Sequence, residues 1–294
     1  MKISVVIPYY NNLTTICKTL DSLVMQTTNL YEVIIVDDCS PNKNEARIAI
    51  APFEKKLPII LLRNDQNKNG AFSRNRGINY SSGDIVAFLD ADDSWLPIKA
   101  QRILDSVAEF GVNNIFFSKV KVEINGIVSC SRPTHFNSNV HMSEYLFIED
   151  GFIQTSSIFC GSDIAKHLLF QEQFKRHQDY DFVLRASHLK IMFRFISEEL
   201  IIYRSDAKVN LSKGEAYAYS KTWSEKMHKY FSKNGFLGFK IFNLTSRLLA
   251  EKRYFKAIFN LFQGLISLNL TAYPRLYVKF KRVVTQKLKP QRDD

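Results

Sequence analysis

The sequence predicts an α/β fold: a mostly parallel sheet covered by helices on both faces, with a helical C-terminal segment after it. Three observations carry this. The runs ISVVI (3–7), VIIV (33–36), PIILLR (58–63) and DIVAFLD (84–90) are continuously apolar rather than alternating, as strands buried on both faces require. Between the first two, LTTICKTLDSLVMQ (13–26) sets Leu13, Ile16, Leu20, Leu23 and Val24 at helical spacing, a crossover that returns the chain for a parallel strand. The net charge of +11 sits at one end: from Asp206 onward 18 Lys and Arg face 6 Asp and Glu, against 22 and 23 in residues 1–205.

Taken in order, the first 95 residues alternate strand and helix, with SRNRGINYSS (73–82) as the short helix before the last strand. A helix is expected from about Leu96 to Phe110. In NIFFSKVKVEINGIVSCS (114–131), Asn125-Gly126 marks a hairpin. QTSSIFC (154–160) reads as a strand, RHQDYDFVLRASHL (176–189) as a helix with Phe182, Val183, Ala186 and Leu189 on one stripe, and IMFRFISEELIIYRS (191–205) as a closing strand. The expected organisation is a catalytic domain over 1–205, divided into 1–95 and 96–205, and a basic, aromatic-rich helical region over 206–294.

With 294 residues and 46% hydrophobic content the chain is a folded protein, not a disordered one. Cys17, Cys39, Cys130 and Cys160 lie far apart with no CxxC pair, so neither a zinc site nor a disulfide framework is indicated and a reducing compartment is expected. MKISVVIPYYNN is too short in its apolar run for a secretory signal or a span.

In a parallel sheet, ligands sit at the carboxyl ends of the strands. Those ends carry Pro8-Tyr9-Tyr10, Asp37-Asp38, Arg63-Asn64 and Asp90 to Asp93, expected to line one crevice. Crowding Asp90, Asp92 and Asp93 in GDIVAFLDADDSW (83–95) costs stability unless a cation offsets it, and hard carboxylate oxygens suit Mg²⁺ or Mn²⁺; a plain Asp-rich loop explains one aspartate, or two. NKNGAFSRNRG (67–77) adds Gly70 and Gly77 for close approach and Arg74 and Arg76 as phosphate donors, although alone it reads as a solvated basic helix. Asp38 can accept from a nucleobase imide or a ribose hydroxyl, or serve as an N-cap for the residues after Ser40-Pro41-Asn42, and Tyr10 can stack on a base or serve a turn. In His177-Gln178-Asp179-Tyr180-Asp181, the two aspartates point about 200° apart on a helix, so one at most faces the crevice. Asp179, nearer the helix start, is the candidate general base; the alternative is a carboxylate favoured by the helix dipole.

These segments together carry a resemblance. SVVIPYYNN, VIIVDDCS, NGAFSRNRGI, GDIVAFLDADDSW and FKRHQDYDFVLR, in this order over residues 3 to about 205, resemble family 2 of the inverting, nucleotide-sugar-dependent glycosyltransferases. The resemblance implies a GT-A type, Rossmann-like fold, a UDP-sugar donor and a DXD motif at Asp90-Ala91-Asp92, whose last carboxylate holds Mn²⁺ or Mg²⁺ against the diphosphate. It places Asp90 at ribose or metal, Asp38 at uracil, Pro8, Tyr10, Arg63, Gly70, Arg74 and Ala91 in the nucleotide-sugar pocket, and Asp179 as catalytic base. Asp93, Trp95, Gln154, Thr155, Ser156, His177 and Gln178 are candidates for acceptor contact or support. Gln178 departs from the family, where the residue before the base is often acidic. The implied reaction moves a hexose, guessed as glucose or galactose, to a hydroxyl of a free or lipid-linked saccharide with inversion, as in bacterial O-antigen or capsule assembly.

The segment 236–282 interleaves aromatic and basic residues. Ile258, Leu261, Phe262 and Leu265 share a helical face flanked by Lys252, Arg253, Lys256, Arg275, Lys279, Lys281 and Arg282, while Asn260, Gln263, Gly264, Asn269 and Pro274 make a poor bilayer span. An anchor lying on the cytoplasmic face of the inner membrane is one reading; a helical lid or a dimer contact is the other. Two other functions stand behind glycosyl transfer. A metal-dependent nucleotidyltransferase would need a Gly-rich phosphate loop where Pro8-Tyr9-Tyr10 stands, and a nucleic-acid-binding role through the basic region lacks any module pattern, so no nucleic acid partner is expected.

Overall fold

The computed structural model describes residues 1–205 and 216–288. The strands are β1 (Ile3–Tyr9), β2 (Glu32–Asp37), β3 (Ile59–Arg63), β4 (Ile85–Phe88), β5 (Ser94–Trp95), β6 (Asn114–Ile124), β7 (Ile127–Arg132), β8 (Phe159–Gly161) and β9 (Met192–Arg204). The helices are α1 (Leu13–Val24), α2 (Lys43–Ile50), α3 (Gly70–Tyr80), α4 (Lys99–Phe110), α5 (Met142–Phe147), α6 (Ser162–Leu168), α7 (Gln178–His188), α8 (Ala216–Lys226), α9 (Lys233–Phe239), α10 (Thr245–Ala250), α11 (Tyr254–Ile266) and α12 (Tyr273–Leu288). Two compact units form: Met1–Pro133 with the described part of Ile153–Asp206, and Thr134–Phe152 with the described part of Ala207–Asp294.

The first unit is built on one sheet of order β3-β2-β1-β4-β8-β6-β9-β5, with β7 paired to β6. β1 to β4 are mutually parallel, and β6 pairs parallel with β9, while β8 runs antiparallel to both β4 and β6. Every residue of β2 and β4 is buried, which is why these runs carry no polar alternation. Because β1 lies between β2 and β4, the chain leaves it in opposite directions, and a crevice opens at the carboxyl ends of β1 and β4. Helix α3 lies close over this sheet: a Cβ on Gly77 would stand 2.5 Å from Val6 Cγ1, so only glycine permits the approach. At the β6–β7 turn, Asn125 and Gly126 take φ of 51° and 83°, the geometry a two-residue hairpin loop requires.

Several boundaries differ from expectation for local reasons. β1 runs through Pro8 to Tyr9, since Pro8 keeps extended backbone opposite Val36. Helix α3 begins at Gly70, three residues early, because Asn69 Oδ1 accepts from the Ala71 and Phe72 amides. QTSSIFC is not one strand: Thr155–Ser157 form a 3₁₀ turn before β8. Helices α2, α5 and α6 and strand β5, of 8, 6, 7 and 2 residues, are too short for sequence periodicity to reveal them.

Residues 134–152, expected within the 96–205 part of the catalytic domain, group with the C-terminal helices instead. Helix α5 buries Met142, Tyr145, Leu146 and Phe147 there, and the Phe147 ring packs on Phe231 and Phe239. Arg275 pairs with Glu144 at 2.8 Å and Glu149 at 3.4 Å, Arg282 pairs with Asp150, and Lys279 Nζ donates to Leu146 O at 2.8 Å. Among the described residues, no helix is long and apolar enough to cross a membrane. All four cysteines are free thiols.

Candidate functional site

Pro8, Tyr9, Tyr10, Asn12, Asp38, Gly70, Ser73, Arg74, Asp90, Ala91 and Asp92 line a crevice of about 260 Å³ in the first unit. Three of the four expected strand ends therefore meet. The fourth does not: Arg63 is held by Asp37 and donates to Ser40 O at 2.7 Å, which takes its guanidinium out of the crevice. Its neighbour Asn64 turns toward Asp38, donating to Oδ1 at 2.7 Å, and the Lys68 amide lies 3.1 Å from both Asp38 oxygens. A carboxylate has about four lone-pair positions, so buried Asp38 keeps one to accept from a ligand. Tyr10 is half exposed at the rim.

The aspartate turn is clamped from below. Thr15 and Thr19 of α1 donate to Ala91 O at 2.7 and 3.0 Å, Thr19 also donates to Asp93 O, and the Asp93 amide closes on Asp90 O at 3.1 Å. This divides three neighbouring carboxylates by environment. Asp93 is fully buried and accepts from Ser156 Oγ at 2.5 Å, Gln154 Nε2 at 2.8 Å and the Arg204 amide at 3.0 Å. Burial, then Asp90 and Asp92, push its pKa well up. Asp93 and Ser156 thus fasten the turn instead of reaching a ligand, and Ser156 also accepts from the Asp90 amide. Asp92 opens to solvent on one side. Its carboxyl is raised to about 6, first because protein surrounds its other sides and next because Asp90 repels it.

Arg74, on the inner face of α3, ties this floor to α7. It pairs with Asp90 and donates through Nη1 to Gln178 Oε1 at 2.7 Å; its Nε is buried with no partner among the described residues. Gln178 is the first residue of α7, after His177 in left-handed conformation with φ 61°. Asp179 comes next. Burial raises its pKa to about 6, opposed by the Tyr180 amide at 2.8 Å and by Arg74, and helped by Asp90. The neutral Gln178 gives Arg74 an acceptor without adding a charge beside Asp179. Asp181, the alternative carboxylate, is buried with Arg185 at 2.9 Å and has no part in the crevice.

The remaining candidates separate. Gln154 Nε2 also lies 3.4 Å from Asp90 Oδ2, and its Oε1 is buried without a partner among the described residues. Trp95 and Thr155 are buried away from the crevice lining, Trp95 near the Lys99 ammonium. The His177 ring stacks on Tyr180. Two residues of β9 were missed. Arg204 donates to Asp92 O at 3.1 Å and Ser94 Oγ at 2.8 Å, and the Tyr203 phenol is pushed up by burial, then by Asp93, Asp179 and Asp90. In sequence they are the unmarked end of a β-rich run.

Four carboxylates (Asp90, Asp92, Asp93 and Asp179) thus stand near two guanidiniums (Arg74 and Arg204), a surplus that a divalent cation would relieve. Among the described residues no three His, Cys, Asp or Glu side chains form a ready-made ion cage. The donor set fits a hard cation that keeps waters and takes phosphate oxygens, with Asp92 open to it and Asp90 beside it.

The model of the glycosyl transferase family 2 matches residues 4–201. The chain belongs to this family. It is 34% identical over 261 residues to the amylovoran biosynthesis glycosyltransferase AmsB of Erwinia amylovora, covering 86% of this chain and 87% of that one. Over 122 residues, 42% of this chain and 46% of the relative, it is 33% identical to the Escherichia coli UDP-Glc:alpha-D-GlcNAc-diphosphoundecaprenol beta-1,3-glucosyltransferase WfgD. Crystal structures of S. aureus TarS 1–349 share the fold: that with UDP-GlcNAc superposes with TM-score 0.63 at 18% identity over 94% of this chain and 78% of that one. The TarS complex with UDP gives 0.59 at 19% identity, covering 89% of each. The architecture is the GT-A type that the motifs imply.

Proposed function

We propose that this glycosyltransferase moves a hexose from a UDP-sugar, UDP-glucose or UDP-galactose, to a hydroxyl of a lipid-linked saccharide in bacterial polysaccharide assembly, O-antigen or capsule, at the cytoplasmic face of the inner membrane. The observation that carries the reading is the convergence of Asp38, Arg74, Asp90 and Asp92 on one crevice, with Asp179 within electrostatic range of Arg74 and Asp90. WfgD, a UDP-Glc:alpha-D-GlcNAc-diphosphoundecaprenol glucosyltransferase, supports the UDP donor and the lipid-linked acceptor, and the TarS complexes with UDP and UDP-GlcNAc support the UDP donor.

In this reading Asp38 accepts from the uracil imide through its remaining lone pair, and Tyr10 stacks on the base. Arg74 donates to the diphosphate, gaining a partner for Nε. Gln154 Oε1 accepts from a hydroxyl of the transferred sugar. Asp92 and Asp90 would hold Mn²⁺ or Mg²⁺, which when bound would supply positive charge against the leaving diphosphate. Asp179, ionised above about pH 6, accepts the proton of the acceptor hydroxyl as that oxygen attacks the anomeric carbon opposite the leaving group. One displacement inverts the centre, so an α-linked donor yields a β-glycoside. NMR of the product's anomeric coupling tests this. A β-product is expected, and an α-product or a trapped sugar–enzyme ester would overturn the mechanism.

A further inference from the structure

Helix α11 is built inside out. Its inward face is made of small or polar residues: Ala257, Asn260 and Gly264 are the buried ones. Gly264 lies against Ile241, where a Cβ would stand 2.5 Å from Cγ1, and Asn260 Nδ2 donates to Lys240 O and Thr245 Oγ1, both at 2.9 Å. Its outward face is made of large apolar residues. Phe255 (92% exposed), Ile258, Phe259, Phe262 and Ile266 all stand open to solvent. At 100° per residue these five fall within an arc of about 100°, opposite the inward three, on a helix about 20 Å long. Leu270, 85% exposed, continues the apolar surface just beyond the helix. Contiguous exposed apolar surface of this kind marks a partner or a membrane.

We propose that the outer face of α11 docks on an anionic lipid surface, lying parallel to it with Phe255, Phe259 and Phe262 inserted. Charge complementarity selects this occupant. From Lys252 to Arg292 the sequence carries ten Lys or Arg and no Asp or Glu. A second copy of the chain docked on this face would find no acid on α11 to pair with its own Lys252 and Lys256. Nucleic acid would need the cations outermost, but Arg275 and Arg282 are spent on Glu144, Glu149 and Asp150, and the outermost groups are phenyl and alkyl. The expected flanking basic rim is therefore thinner than the sequence implies, with Lys252 and Lys256 on the α11 side, and apolar insertion carries more of the binding. A helix with an aromatic face, no acidic residue of its own and too little length to span is the form that lies in the head-group plane.

The inference stands on α11 alone and is read without any nucleotide sugar, so its failure leaves the transfer reaction untouched. The test floats the full chain on vesicles of phosphatidylcholine and of phosphatidylcholine mixed with phosphatidylglycerol, beside a Phe255→Ser, Phe259→Ser, Phe262→Ser variant. Wild type is expected to bind the anionic vesicles more tightly than the neutral ones, and the variant to lose roughly a hundredfold in partition. Since all three rings are exposed, the variant should keep its unfolding midpoint; Phe255→Ser alone, with a smaller loss, serves if it does not. No vesicle binding by wild type, equal binding by wild type and variants, or a dimer in sedimentation that the substitutions dissolve without vesicle binding, would each overturn the proposal.

Discussion

Replacing Asp179 with Asn should cut turnover by orders of magnitude while making the protein more stable at neutral pH. The carboxyl is displaced from 3.8 to about 6 by burial, and at 1.36 kcal/mol per unit the ionised form in the fold costs about 3 kcal/mol, an upper bound because the group is partly exposed. A raised carboxyl contributes stability that is present below its unfolded pKa and lost as pH rises through the folded one, so the gain should appear above about pH 6 and vanish near pH 4. Asn keeps the oxygen that accepts from the Tyr180 amide. Urea unfolding at both pH values reads the stability, and UDP release reads turnover, expected to fall by roughly 10²–10⁴ for loss of a general base. A carboxylate kept only to complement the helix dipole behaves oppositely, its removal costing about 0.3–1 kcal/mol with activity intact. That pair of results would refute the assignment of Asp179.

Three other substitutions test the geometry. Arg74→Lys keeps the charge but cannot span Asp90, Gln178 and a diphosphate together, so kcat/KM should drop roughly 10–100-fold, and an unchanged value removes Arg74 from the site. Asp93→Ala leaves Ser156, Gln154 and the Arg204 amide without their acceptor and should cost roughly 2–4 kcal/mol in urea unfolding, where a near-neutral effect would show the turn is held otherwise. Lys99 is fully buried, with its pKa lowered to about 7 by desolvation, so wild-type stability should fall as pH drops from about 10 through 7. Lys99→Met should flatten that slope, and an identical pH profile in the variant would contradict it.

Where chain-local chemistry decides the structure, the sequence is legible. Continuous β-branched runs placed β1 to β4, Asn125-Gly126 placed the hairpin, and the polar strand ends brought Asp38, Asp90 and Asp92 to one crevice. Where partners arrive from far away, it is not. Nothing local says that Asp93 turns inward while Asp92 faces out; Ser156 and Arg204, 63 and 111 residues on, decide it. Arg63 and Arg74 look equivalent as residues of the nucleotide-sugar pocket until Asp37 claims the first. The C-terminal cations look like a solvated rim because the acids that bind Arg275 and Arg282 lie in 134–152, a segment with no readable periodicity.

The central claim, that the aspartate turn and Arg74 form a metal-assisted nucleotide-sugar site, is tested most directly by UDP release with Mn²⁺ across a panel of UDP-sugars, comparing wild type with Asp92→Ala. Turnover of one sugar that is lost on chelation and in the variant is the predicted result. No turnover of any sugar, with no metal-dependent UDP binding by either protein, would return the aspartates to an ordinary loop and contradict the account.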